Sequence, residues 1–341
     1  VALVRTADLL LELSGRNVSG IVAGALVSAT YTDNEHGTAD DLDVTLEDRA
    51  GLWRGRWEPS RGMRMAATIV CRDWAAAGRD LALSCGSFEL DELELRGGMG
   101  GDTVSLKGVA APVSKAIRWE ARSRAWEAAS LHRVARDIAS EHGLTPVLHG
   151  EDMPFSRLDQ TEETDLAFLQ RLAEQAGRSL KASDGRLILF SAGDYDAGPT
   201  VAVLRRGDTA ISSWSVKAKH HGLAKKARVS FHDPATRRLT EAEVAPEDAP
   251  DVGATLQVGE RVESPAQARS LARHKLRGKN QKEFEASFEL MGDPRLRAGC
   301  CVALEGFGGM DRAYVISKAV HELTRRSGYR TTINLRTALR Y

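Results

Sequence analysis

Residues 160–180 read QTEETDLAFLQRLAEQAGRSL. Leu166, Leu169, Leu172, Ala173 and Ala176 recur at the three- and four-residue spacing of one helical face. Gly177 stands where a left-handed C-cap residue belongs. The stretch also crowds Glu162, Glu163 and Asp165 together, a density that suits a catalytic pair, a metal site or a helix start. With Thr161 as the N-cap, all three acids fall in the first turn or just beyond. There the helix dipole and unpaired amides favour negative charge, by roughly 0.3–1 kcal/mol each. Catalytic carboxylates need pKa values driven apart by burial or close pairing, and a solvent-facing first turn supplies neither. The acids are read as a helix start.

Upstream, SLHRVARDIASEHGL (130–144) places Leu131, Val134, Ala135 and Ile138 on one helical face, with Ser130 as N-cap and Gly143 as the stop. Downstream, RLILFSAGD supplies a strand. Residues 114–195 therefore read as a small α/β module. On its N-terminal side, DLDVTLED alternates Leu42, Val44 and Leu46 against polar residues, the pattern of a half-buried strand. MRMAATIVC, LALSC, SFELDELELRG and DTVSLKGVA follow, separated by turn signals such as RGGMGGD. On its C-terminal side lie TVAVLRRGD, ISSWSVKAK, KARVSFHD and EFEASFEL, then CVALEGFG, AYVISKAVHEL and YRTTINLRT. One helix interrupts them: SPAQARSLARHKLRG has Ser264 as N-cap, Pro265 at N1, Gln267 completing a capping box and Gly278 beyond its end. Residues 243–254 read as a loop. Short strands with turn signals indicate a barrel or sandwich on each side.

The chain has 341 residues, 42% of them hydrophobic and 28% charged, enough for two or three globular domains. No apolar run is long enough to span a bilayer, and the first residues lack a signal peptide's h-region and cleavage site; membrane insertion is not expected, and folding in a cytoplasm is. Cys71, Cys85, Cys300 and Cys301 form no CxxC pair and read as small packed residues. Lys plus Arg equals Asp plus Glu at 47 each, but residues 1–195 sum to −8 and residues 196–341 to +8. The basic residues are scattered over strands and not interleaved with stacking aromatics, so a contact between subunits accounts for the asymmetry at least as well as nucleic acid.

The remaining chemical candidates are read structurally. HELTR (321–325) puts Arg325 where a zinc protease needs its second histidine. His220 and His221, adjacent in a strand, would face opposite sides. His142 and His149 read as a helix-end and a loop residue. RGGMGGD and GFGGMD match no phosphate loop, and no GxSxG elbow is present. No catalytic, cofactor-binding or metal-ligating residue is expected, and no cofactor.

The central motif resembles that of the phage late-control D protein family, the baseplate hubs of contractile tails. The matching residues are Gln160, Glu163, Thr164, Asp165, Leu166, Phe168, Leu169, Arg171, Leu172, Ala173 and Gly177. DDLDVTLEDRAGLW, GSFELDELELRGGMGGDTVSLKGVA and residues 292–336 resemble the family's flanking strands. The resemblance implies an α+β, mainly β fold. In it, two tube-type β-barrel domains, residues 1–113 and 196–341 (the second with one inserted helix), flank the module at 114–195. It also implies a structural hub of a phage tail or tailocin, a homotrimer assembled in the bacterial host cytoplasm and residing in the virion baseplate. Such a hub joins a six-fold tail tube to a three-fold spike, contacts other baseplate proteins, and lets DNA or a tape protein pass during genome ejection without specific binding. Because no spike repeat follows Tyr341, the tail spike is expected to be a separate protein. A tail-associated cell-wall hydrolase is the alternative, and a nucleic-acid binder a further one.

Overall fold

The computed structural model describes residues 4–55, 57–60, 62–110, 116–233, 237–247, 249–250, 253–260 and 262–341. The first β-rich region contains β1 (Thr6–Leu13), β2 (Arg16–Asn17), helix α1 (Ser19–Ala25), β3 (Leu26–Asn34) and β4 (Asp41–Glu47). It continues with β5 (Arg64–Ala76), β6 (Arg79–Arg96) and β7 (Thr103–Ala110). Strand β4 follows its alternation: Leu42, Val44 and Leu46 are buried between half-buried polar residues. LALSC and SFELDELELRG, expected as separate strands, are one. Cys85, at their join, is the extra residue of a bulge against Ala67 and Thr68, and Gly86 beside it takes φ +93°, so the strand bends without stopping.

The middle module comprises α2 (Ala116–Trp119), β8 (Ala121–Ser130), α3 (Leu131–Glu141), β9 (Thr145–Leu148) and β10 (Pro154–Thr164). Helix α4 (Asp165–Gln175), β11 (Ser179–Ser183), β12 (Arg186–Phe190) and α5 (Ala192–Asp196) complete it. Strands β8 and β10 form one ribbon; β11, β12 and β9 form a small sheet. Leu131, Val134, Ala135 and Ile138 of α3 pack with Phe168, Leu169, Leu172 and Ala173 of α4 in a single core. Helix α3 starts on the Ser130 side chain, which accepts from the Arg133 amide. Both helices end alike. Gly143 and Gly177 take positive φ, and the amides of Leu144 and Arg178 donate to the carbonyls of Ala139 and Ala173.

The last region runs β13 (Thr200–Arg205), β14 (Ile211–Ala218), β15 (Ala224–Asp233), β16 (Arg238–Val244), β17 (Ala254–Val258) and α6 (Pro265–Asn280). It closes with β18 (Phe284–Met291), β19 (Cys301–Glu305), β20 (Ala313–Thr324) and β21 (Gly328–Thr337). KARVSFHD, expected in the barrel wall, instead sits in a separate three-stranded sheet, β16-β15-β17, whose apolar face packs on α6. The inserted helix therefore belongs to a second small α/β unit. It also runs through Gly278 to Asn280, two residues past its expected stop.

The two β-rich regions, expected as separate barrels, share one 13-stranded sheet. Its order is β14-β18-β21-β20-β3-β4-β7-β6-β5-β1-β2, with β19 and β13 branching from β20. The junction is the antiparallel pairing of β3 with β20, from Ser28 opposite Thr324 to Asn34 opposite Lys318. Each region keeps its own core, one around Trp53, Phe88 and Leu106, the other around Phe288, Tyr314 and Ile333. Both cores lie on the same face of the sheet, since Ile316, Ala319 and Leu323 of β20 point into one or the other. The opposite face is polar. Of the expected boundaries, 113/114 lies outside the described residues and 195/196 falls inside α5.

Candidate functional site

The acid cluster of residues 162–165 resolves into three different environments. The N-cap of α4 is Thr164, whose hydroxyl accepts from the Ala167 amide, and not Thr161. Glu162 and Glu163 therefore stand in β10, before the helix. Pairing with β8 resumes at Glu163 and Thr164 after a bulge at residues 161–162, and this delays the start of the helix by three residues. Glu162 is exposed at φ +50°. Glu163 pairs with Arg171. Asp165 begins the helix and is 0% exposed, so the expectation of a solvent-facing acid fails.

Asp165 is buried charged because four side chains close on it. Its Oδ1 accepts from Arg124 Nη2 at 2.8 Å and from Gln160 Nε2 at 2.8 Å. Its Oδ2 lies 2.7 Å from His142 Nε2 and 3.4 Å from Arg122 Nη1. Burial pushes the carboxyl pKa up. The hydrogen bonds from His142 and Gln160 and the two guanidinium groups outweigh it and hold the group below the usual carboxylate range. Arg122 and Arg124 share Glu141 as well. Arg124 also lies over the Trp126 ring, and Trp126 stacks on Phe168 at 5.1 Å between centroids. Glu141, His142 and Asp165 bring one donor atom each within 4.8 Å of one another, the spacing of a metal site. Two arginines already balance the two carboxylates there, so a cation would enter against positive charge. The cluster is a clamp between ribbon and helices.

Two more buried charge clusters fasten the module to the sheet. Lys181 of β11 reaches Asp33 at 3.0 Å and Asp40 at 3.1 Å, and donates to the Asn34 carbonyl at 2.6 Å. Burial lowers the Lys181 pKa, but Asp33 and Asp40 outweigh it and raise it overall; burial raises that of Asp40. In the second cluster, Arg336 of β21 donates to Glu35, and at 2.6 Å to Asp196 of α5. Asp196 also holds Arg277 of α6 and accepts from the Leu339 amide at 2.9 Å. This cluster ties four segments of the chain together. Gly177 adds a steric fit: a Cβ there would come within 2.6 Å of the Ser270 carbonyl oxygen, and the Ser270 hydroxyl donates to the Ala176 carbonyl at 2.8 Å.

The other candidates are dispersed. His321 is buried in β20, 2.8 Å from the Tyr329 hydroxyl and 3.0 Å from the Leu296 carbonyl oxygen, and burial holds its pKa down at about 4. Arg325 pairs with Glu47, far from zinc chemistry. His220 and His221 are exposed in the loop after β14, not in a strand. His142 caps α3 as expected but is buried, and His149 is an exposed loop residue. Cys300 and Cys301 are free thiols at the start of β19. Gly97–Gly101 and Gly306–Gly309 form turns and loops.

Residues 102–327 match the model of the phage tail baseplate hub (GPD). The chain belongs to that family. Among curated relatives of the baseplate hub family, the probable baseplate hub protein of Escherichia phage P2 is 32% identical over 193 residues, 55% of this chain and 46% of the relative. The chain thus spans about half the length of the curated relatives it matches. Solved structures share the fold at low identity. A tail protein from Neisseria meningitidis superposes with a TM-score of 0.72 at 15% identity, covering 97% of both chains. A component of the Escherichia coli type VI secretion system does so with a TM-score of 0.56 at 10% identity, covering 93% of this hub chain and 75% of the other. Among the described residues, no helix of the hub chain is long and apolar enough to cross a membrane.

Proposed function

We propose that this chain is a structural hub that joins a six-fold tail tube to a three-fold spike in a phage tail or tail-like baseplate. The observation that carries this is the repeated sheet. Four antiparallel strands of the last region (β14-β18-β21-β20) and four of the first (β3-β4-β7-β6) run on from each other, with both cores on one face. Two similar wall units per chain, residues 1–113 and 196–341 apart from the α6 unit, give six units from three chains. That count reconciles a homotrimer with a hexameric tube. The polar face alternates acids such as Asp43 and Glu285 with Lys107, Lys217 and Lys318. Such a mixed-charge wall suits a channel that DNA or a tape protein traverses without specific binding. The trimer, assembled in the host cytoplasm, docks a tail spike alongside tube and other baseplate proteins.

The clamp around Asp165 is charge-balanced and closed by its own side chains, which supports a role without catalysis. Cryo-EM of the assembled particle tests the hub reading: three copies of the chain per ring are expected, and six copies would overturn it. Peptidoglycan zymography tests the hydrolase alternative. No clearing is expected, and clearing that is lost in Asp165→Asn would establish an enzyme.

A further inference from the structure

A groove on the polar face of the sheet, beside the end of α6, encloses about 570 Å³. Its floor is set by strand register. Lys217 of β14, Glu285 of β18 and Arg336 of β21 stand opposite one another in one row, and Ser215, Ser287 and Asn334 in the next. The turn after α6 adds Gln281 and Lys282, and the segment after β3 adds Glu35 and His36. Both acids of the groove are already matched. Lys219 holds Glu285 at 2.6 Å, and Arg336 holds Glu35. The second carboxylate on Arg336, Asp196, is balanced by Arg277. What is left over is the charge of Lys217 and Lys282, neither of which makes an ion pair among the described residues. The side chains of Ser215, Ser287, Asn334 and Gln281 likewise make no hydrogen bond among the described residues.

We infer that this groove is an anion site whose ligand is a phosphate group. Two uncompensated ammonium groups supply the charge, and the neutral row supplies hydroxyl and amide donors. A phosphate presents several oxygens to donors arriving from different directions, and lysine meets it as a point charge. A carboxylate is better matched by the planar fork of arginine, and the arginine of the groove is spent on Glu35 and Asp196. An acidic peptide would also find little to hold its side chains. The apolar residues that border the groove, Ala286 and Leu335, turn their side chains into the core on the other face. No Trp, Tyr or Phe lines the groove for a base to stack on, so a nucleic acid would be held by its backbone, without regard to sequence. Free polyphosphate and nucleic-acid backbone carry the same chemistry. The groove is complete within one chain, so the inference is independent of the copy number proposed above.

The test titrates the full chain with sodium tripolyphosphate by calorimetry and, separately, with two fluorescein-labelled DNA strands of unrelated sequence by anisotropy. Lys217→Gln and Lys282→Gln, both at exposed positions, should each weaken binding about five-fold, and the double variant about twenty-fold or more. On DNA each should also lower the salt slope by about 1, equally for both sequences. Lys107→Gln, on the same polar face but outside the groove, should leave both titrations unchanged. Ser287→Glu sets an acid in the floor and should abolish tripolyphosphate binding with an unchanged far-UV spectrum. Binding of tripolyphosphate alone would name a small polyphosphate as the ligand, and DNA binding that is lost in the double variant would name nucleic-acid backbone; either supports the site. No binding of either probe, binding that survives the double variant, or an equal loss in Lys107→Gln would overturn it. A polyglutamate peptide that binds more tightly than tripolyphosphate would overturn phosphate as the ligand.

Discussion

Asp165 stands two positions from Glu163 in the sequence and in a different world physically. Local spacing reads every acid near a helix start as solvated. The arginine that makes Asp165 a buried group lies 41 residues away, on β8, and nothing local announces it. The readable sign is the alternation Arg122, Arg124, Trp126 in a strand otherwise poor in charge, which sets two cations on one face. Unequal costs follow for the three acids. Asp165→Asn should destabilise by about 2–4 kcal/mol, since it leaves partly buried guanidinium groups short of a counter-charge. Glu162→Gln, at an exposed position, should stay within about 0.5 kcal/mol. Urea denaturation of the two variants checks this, and equal losses would restore the helix-start reading. His321 sets a pH dependence. Its folded-state pKa of about 4 is below the unfolded value, so the unfolded chain takes up the proton first. Stability should be full above about pH 6.5 and decline toward pH 4, by at most about 1.4 kcal/mol per pH unit from this residue. Burial lowers His274 to about 4 as well, and it adds in the same direction. His321→Gln should reduce the slope of urea midpoints between pH 6.5 and 4.5, and an unchanged slope would exclude His321 as its source.

Elements were the most legible scale. Caps and periodicity located α3, α4 and α6 to within a few residues, and period-two patterns found β4, β5, β7 and β18. What failed was the assignment of β15, because an alternating strand looks the same in a barrel wall and in a small sheet against a helix. The two helix-ending glycines give a matched comparison. Gly143 and Gly177 share the same turn, at φ +65° and +70°. A Cβ at Gly143 meets nothing within 4 Å, whereas one at Gly177 meets the Ser270 backbone. Gly143→Ala should cost about 1 kcal/mol, the strain alone. Gly177→Ala should cost at least about twice that and loosen α6 from α4, read as faster amide exchange in α6. On α4 itself, Leu169 is 1% exposed and Glu174 is exposed. Leu169→Asp should cost several kcal/mol (about 3 or more), and Glu174→Lys almost nothing; similar thermal shifts would contradict this helix face.

At the scale of the molecule, the family and the β-α/β-β order were readable, but the joining of the two β-rich regions was not. Pairing between strands at opposite ends of a chain leaves no periodic mark in either. The buried charge clusters reinforce that joining. Arg336→Leu should cost about 3–5 kcal/mol by stranding Glu35 and Asp196 without a cation. Calorimetry should show one transition for the wild type and a split, lower one for the variant. A consequence follows for how the chain is made. Arg336 meets Glu35 across 301 residues, and β3 meets β20 over a similar span. At a ribosome adding about 5–20 residues per second, β3 therefore waits roughly 15–60 s before its partner strand exists. For that interval its outer edge is bare in a crowded cell, next to other nascent copies of the same strand. What β3 offers a neighbour in that interval, besides its backbone edge, is the polar row Ser28, Thr30 and Thr32.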